Sequence, residues 1–102
     1  MEGLLKELVD IYRRGEEAVL VTLCSTSGST PRKAGAKMLV YPDGKIKGTI
    51  GGGELEYKAI DKALEVMKKK ESILWETNLI ELEMVCGGAC TLYLEYLPGK
   101  CG

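Results

Sequence analysis

Histidine and phenylalanine are absent from this 102-residue chain, tryptophan occurs once and proline three times. Without histidine there can be no Ser-His-Asp or Cys-His arrangement, so any acid–base chemistry falls to carboxylates, lysine, tyrosine or the ligand itself. A charge of one sign is also missing. Fourteen basic residues against fifteen acidic ones leave a formal net charge of −1, which gives no sequence-wide footprint for nucleic acid or an anionic membrane. Nor is there a long apolar run. The longest, Ala18 to Cys24, is interrupted by Thr22 and falls far short of the roughly 20 residues a membrane helix needs. The opening Met1-Glu2-Gly3-Leu4-Leu5-Lys6-Glu7 has no basic n-region, extended apolar segment or small-residue cleavage site. These absences lead to the expectation of a cytoplasmic protein with no nucleic-acid or membrane partner. The four cysteines, Cys24, Cys86, Cys90 and Cys101, then read as thiols rather than as a disulfide framework.

What is present is enough for one domain, residues 1–102, with one modest core. Leu4, Leu5, Leu8, Val9, Ile11 and Tyr12 recur at helical spacing ahead of Gly15, which predicts a helix from Glu2 to Arg14. Ala18 to Ser25 is nearly continuously apolar and β-branched, the pattern of a central strand covered on both faces. Ala36–Tyr41 and Lys45–Ile50 flank Pro42-Asp43-Gly44 and predict a hairpin. A second helix is expected from Glu54 to Lys70, with Ile60, Ala63, Leu64 and Met67 as its buried stripe and Glu54/Lys58 and Glu65/Lys69 paired on its wet side. Ser72–Glu76 and Cys90–Leu97 read as strands. Asn78 with Glu81 resembles a capping box, which predicts a short helical turn over Leu79–Glu83. The fold class is therefore α+β, a mixed sheet of about five strands covered by two main helices, in the order α-β-β-β-α-β-(α)-β. Three ligand-permissive loops would then cluster at one end of that sheet.

Those loops carry the candidate chemistry. Gly51-Gly52-Gly53 stands where a strand ends and a helix begins, so a ligand could approach the backbone and meet the unpaired N–H groups of the helix start. It fits neither G-x-G-x-x-G, since Glu56 stands where the third glycine belongs, nor a P-loop. The bland alternative is a tight turn in which Gly53 is the N-cap and Glu56 reaches back to it. Ser27-Gly28-Ser29-Thr30-Pro31-Arg32 offers hydroxyls, a fixed backbone and a guanidinium able to grip phosphate in bidentate fashion; its alternative is a polar surface loop. Lys37 is a further cation that could reach across to offset Glu54 and Glu56. Cys86-Gly87-Gly88 exposes a thiol suited to thiolate, soft-metal-ligand or persulfide chemistry. Cys24, inside an apolar strand, is expected to be a small buried hydrophobe. A zinc site built from all four cysteines is the alternative for the thiols, against which their irregular spacing argues.

Taken in order, Thr26-Ser27-Gly28-Ser29-Thr30-Pro31-Arg32, Gly35-Ala36-Lys37-Met38-Leu39-Val40, Asp43-Gly44, Gly48-Thr49-Ile50-Gly51-Gly52-Gly53 with Leu55-Glu56, and Met84-Val85-Cys86-Gly87-Gly88 resemble the N-terminal domain of the xanthine dehydrogenase accessory (XdhC/CoxI) family. The resemblance implies transient binding of the molybdenum cofactor, a molybdopterin, which such proteins protect while a cysteine desulfurase installs its sulfido ligand. It also implies delivery to xanthine dehydrogenase or a related molybdenum hydroxylase. Carried onto this chain, Gly51, Gly52 and Gly53 with Ser27, Gly28, Ser29, Thr30, Arg32 and Lys37 would hold the anionic parts. Cys86, beside Gly87 and Gly88, would face the metal as ligand or sulfur carrier. Two departures matter. Members often carry Cys directly after the three glycines, where this chain has Glu54, so sulfur chemistry at that position does not transfer. Full-length members also carry a C-terminal Rossmann-like domain with no counterpart here, which implies either a stand-alone half working with a separate Rossmann-domain subunit or a diverged relative with a narrower task. The expected role is a chaperone rather than a turnover enzyme. The alternatives are a small enzyme acting on a phosphorylated metabolite with Glu54 or Glu56 as base, and a regulatory or scaffold subunit. A homodimer is left open.

Overall fold

The computed structural model describes residues 2–27, 34–78 and 89–99. The elements run α1 (Glu2–Arg14), β1 (Ala18–Ser27), β2 (Lys37–Val40), β3 (Ile46–Gly48), α2 (Gly53–Lys69), β4 (Ile73–Asn78) and β5 (Ala89–Leu97). This is the α+β order expected from the sequence. One feature differs: all four pairings in the five-stranded sheet β3-β2-β1-β5-β4 are antiparallel, not mixed. The expected helical turn over 79–83 lies outside the described residues.

The near-continuous apolar character of β1 follows from its place at the centre. Val19, Val21 and Leu23 point to one face, where Leu55, Ala59, Ala63, Val66 and Met67 of α2 pack on them together with Met38, Val40, Leu92 and Leu94. Ala18 points to the other face and joins Leu4 and Ile11 of α1, with Leu8, Leu20 and Leu97 against them. Burying one such Leu or Val side chain contributes roughly 1.5–3 kcal/mol, so the α2 face, with its larger set, holds most of the core. The stripe on α2 is rotated from expectation: Leu55 and Ala59 are buried, whereas Ile60 and Leu64 are only partly so. On α1 the outward Leu5, Val9 and Tyr12 are exposed.

Turn chemistry sets the boundaries. Gly15 (φ 74) donates to Tyr12 and Glu16 donates to Ile11, closing α1 with a left-handed residue as glycine permits. In the hairpin, Tyr41 N–H donates to the Lys45 carbonyl and Gly44 N–H to that of Tyr41, both at 2.9 Å. Lys45 N–H donates to Asp43 Oδ1 at 3.0 Å, the side-chain turn mimicry that favours aspartate there. α2 ends at Lys70, itself left-handed (φ 58). Of the two ion pairs expected on α2, Glu65–Lys69 forms at 3.1 Å, while Glu54–Lys58 is not among those seen in the described residues.

Candidate functional site at the glycine end of the sheet

The registers bring the strand termini together. Ser27 at the end of β1 pairs with Ala89 at the start of β5, and Asn78 at the end of β4 pairs with the same residue. Lys37 at the start of β2 pairs with Thr22, and Gly48 at the end of β3 with Met38. Every flank of the three loops that is described therefore lies at one end of the sheet. That end is stepped. The five residues of β1 beyond Thr22, Leu23 to Ser27, about 17 Å of strand, rise above the level at which β2 and β3 stop. Gly28, Ser29, Thr30 and Arg32, and Cys86, Gly87 and Gly88, lie outside the described residues, as does the side chain of Ser27. Gly51, Gly52, Gly53 and Lys37 are described and sit on the lower step.

The triple glycine is required by its backbone. Gly51, Gly52 and Gly53 have φ of 120°, 74° and 69°, and Gly52, with ψ −170°, lies in a region essentially closed to side-chain-bearing residues. A Cβ on Gly52 would meet nothing within 4 Å, so the surface over that residue is open. The turn also carries its own anion. The Glu56 carboxylate accepts from Ile50 N–H at 3.3 Å and Gly52 N–H at 3.2 Å, and from the Thr49 hydroxyl. Thr49 Oγ1 in turn accepts from Gly51 N–H at 3.0 Å. Gly52, not Gly53, is the N-cap, and Glu56 reaches back to it from the fourth helical position, one further than a capping box uses. Helix geometry leaves the N–H groups of Gly53, Glu54 and Leu55, like that of Gly52, without an intrahelical acceptor.

Lys37 is half-buried, its ammonium donating to Thr22 Oγ1 at 3.2 Å. Across the hairpin, Gly48 (φ 85) lies so close to β2 that a Cβ would stand 2.7 Å from the Lys37 carbonyl oxygen. A recess of about 400 Å³ opens beside them, lined by Gly3, Leu4, Gly35, Ala36, Lys37, Lys47 and Gly48.

Cys24 is exposed, not buried as its apolar neighbours suggested. Strand alternation accounts for this: Val19, Val21 and Leu23 face α2, so Cys24 falls on the opposite face with Leu20, its Sγ 3.7 Å from the Thr22 carbonyl. The β1–β5 register shifts at this point, between Leu23 and Ser25, and Leu23 exchanges hydrogen bonds with Ala36 and Gly35 on its other side. Cys90, by contrast, is in the core. Among the described residues no group of three or more histidine, cysteine or acidic side chains is placed to hold a metal ion. No helix there is long and apolar enough to cross a membrane.

At the opposite end a larger recess, about 790 Å³, is lined by Glu7, Arg14, Glu16, Tyr41, Asp43, Lys45 and Lys47 among others. Sequence reasoning did not single it out. Its groups satisfy one another: Tyr41 O–H donates to Glu7 Oε1 at 2.6 Å, Arg14 donates to the same oxygen at 3.1 Å, and Arg14 Nε to Glu16 at 2.6 Å. The Tyr41 hydrogen bond, then that of Arg14, holds the Glu7 carboxyl below the usual range. Burial first and the Glu7 carboxylate second push the Tyr41 phenol up to about 12.

With this geometry in hand, known proteins supply the family. The model described as "XdhC and CoxI family" matches residues 11–77. The chain belongs to the XdhC and CoxI family. It is 36% identical over 98 residues to the molybdenum cofactor insertion chaperone PaoD of Escherichia coli, covering 92% of this chain and 31% of PaoD. It is 34% identical to the uncharacterized protein YqeB of the same organism, over 74% of this chain and 15% of that one. A crystal structure of a xanthine dehydrogenase from Bacillus halodurans superimposes with a TM-score of 0.73 at 27% identity, covering 90% of this chain and 30% of that one. The family's chain thus spans less than a third of the length of each of these relatives.

Proposed function

We propose that this protein binds the molybdenum cofactor, a molybdopterin, transiently at the glycine end of its sheet, and acts as a chaperone rather than a turnover enzyme. It protects the cofactor while a cysteine desulfurase sulfurates it and helps deliver it to a xanthine dehydrogenase or related molybdenum hydroxylase in the cytoplasm. The observation that carries the reading is the convergence of the described flanks of all three loops on one end of the sheet, in a chain similar to a protein named as a molybdenum cofactor insertion chaperone.

The described residues suit such a guest. Its oxo-molybdenum dithiolene and phosphate are anionic, and the open backbone at Gly52 with the amides of Gly53 and Glu54 offers donors backed by the helix dipole. Lys37 adds a cation. Ser27, Gly28, Ser29, Thr30 and Arg32 complete the anion contacts in this proposal, and Cys86 beside Gly87 and Gly88 faces the metal as ligand or sulfur carrier. Glu56, weighed as a catalytic base, is instead occupied in holding the turn. A separate Rossmann-domain subunit is a further partner in this proposal.

The test is anaerobic purification from a molybdenum-replete host, oxidation, and assay of the fluorescent pterin product together with molybdenum analysis. Pterin and metal near one per chain are expected. A chain that emerges free of both from cells making active molybdenum hydroxylase would refute the proposal. Wild-type cofactor loading and target activation in anaerobic Cys86→Ser protein would remove the thiol from it.

A further inference from the structure

The triple-glycine turn already has a carboxylate on two of its amides, which raises the question of where the doubly charged end of a phosphorylated guest sits. We infer that Lys37 and Lys47 form the seat for the phosphomonoester arm of the ligand, in the recess at the start of β2. The inference deepens the cofactor reading and rests on it.

Four observations carry it. Glu56 accepts from Ile50 N–H, Gly52 N–H and the Thr49 hydroxyl, so a second anion placed on those groups would meet a like charge at hydrogen-bond range. The recess at the start of β2, beside α1, is lined by two lysines and, among the described residues, by no carboxylate, although Lys47 also borders the larger recess that holds acidic groups. Neither lysine has an ion-pair partner among the described residues; Lys37 donates only to the neutral Thr22 hydroxyl. Its volume of about 400 Å³ accommodates a phosphate and the atoms that join it to a larger ring system.

The fold explains why these two side chains meet. Lys47 pairs with Leu39, and Lys37 lies two residues along β2 from Leu39, so the lysines are diagonal neighbours on one face of the ladder. Such neighbours stand about 7–8 Å apart at the backbone, a separation that two long side chains bridge around a single phosphate. Gly48, between them in the ladder, keeps β3 close against β2 where a Cβ would strike the Lys37 carbonyl. Edge-strand lysines also discourage sheet-to-sheet pairing. That role explains Lys47 on the outer strand but not Lys37, which lies on an inner strand and is half-buried. Glu7, the acid that feels Lys47 from α1, is bound by Tyr41 and Arg14 and does not line this recess.

The test uses the full chain and two probes: the metal-free pterin phosphate obtained by oxidising the cofactor, and the same compound after phosphatase treatment, each titrated by fluorescence anisotropy. The wild type should bind the phosphorylated probe about tenfold more tightly. Lys37→Gln and Lys47→Gln should each erode that preference and the double variant abolish it, with Lys37→Arg/Lys47→Arg retaining it and Lys45→Gln, an unrelated hairpin lysine, leaving it unchanged. Inorganic phosphate should shift the backbone amide signals of Gly35, Lys37 and Gly48 before those of Gly51 to Gly53. A preference undiminished in the double Gln variant, an equal loss in Lys45→Gln, or no preference in the wild type would overturn the seat. If co-purified cofactor is present while any of these holds, cofactor binding survives and only the lysine assignment fails. Absence of binding by either probe together with absence of co-purified cofactor removes both.

Discussion

The two ends of the sheet solve opposite problems. At the hairpin end, side chains from α1, β2 and the turns following them consume one another: Tyr41 and Arg14 share the Glu7 carboxylate, and Glu16 takes the other side of the guanidinium. Tyr96 likewise donates to Glu17 at 2.7 Å. At the glycine end the working surface is backbone, with positive φ at Gly48 and from Gly51 to Gly53, and its lysines have no carboxylate partners in the described residues. Most charges of the larger recess are thus paired with one another, whereas Lys37 of the smaller one meets only a hydroxyl, and Lys47 borders both recesses.

Substitutions can break that contrast. Gly48→Ala should cost the most, about 3 kcal/mol, because it combines a left-handed backbone with a Cβ 2.7 Å from the Lys37 carbonyl; urea denaturation measures it, and a loss below 1 kcal/mol would show that β3 simply moves away. Gly52→Ala meets open space, so only its backbone conformation resists, at about 1–3 kcal/mol. If it costs as much as Gly48→Ala, the space over Gly52 is not open in solution. Glu56→Gln keeps the shape but removes the charge from the turn; it should destabilise modestly and tighten binding of anionic probes, and unchanged affinity would mean that Glu56 does not compete with them.

Smaller still are the pH effects at the hairpin end. The Tyr41 phenol is raised from 10.0 to about 12, so the stability it contributes is complete below pH 10 and is lost as pH rises through about 12. Absorbance titration near 295 nm should show a late tyrosine step near pH 12 that Tyr41→Phe removes. Glu7 works in the other direction: its lowered carboxyl contributes stability above the usual glutamate range, lost as pH falls through its folded value. Finally, a thiol reagent followed by peptide mapping should label Cys24 in the native protein and Cys90 only after unfolding.

Much of this architecture was legible in local pattern. The nearly continuous apolar run of β1 signalled a strand covered on both faces, and Ala18 on one side with Val19, Val21 and Leu23 on the other bear that out. Pro42-Asp43-Gly44 specified its turn through chemistry confined to five residues. What escaped was set by partners far along the chain. Strand direction depends on which segments meet, and β1 meets β5 from the other end of the sequence. The exposure of Cys24 depends on how far along that face of β1 other elements extend, which leaves no mark in composition. Asn78, read as a helix cap, ends β4 opposite Ala89, and the helical turn expected after it lies outside the described residues. At the site, the need for three glycines and the reach of Glu56 back across the turn were both visible, whereas the diagonal placement of Lys37 and Lys47 required the register of β2 on β3.

The position of β5 has a consequence for how the molecule is made. The last strand in sequence lies between the first and the fourth, so during synthesis β1 has one flank uncovered until residues near 97 leave the ribosome. Closing contacts over such separations is slow, and any nascent chain halted before that point presents two adhesive strand edges. Assembly of the glycine end therefore waits on β5, and a ligand that stabilises it would act only after that strand has joined the sheet.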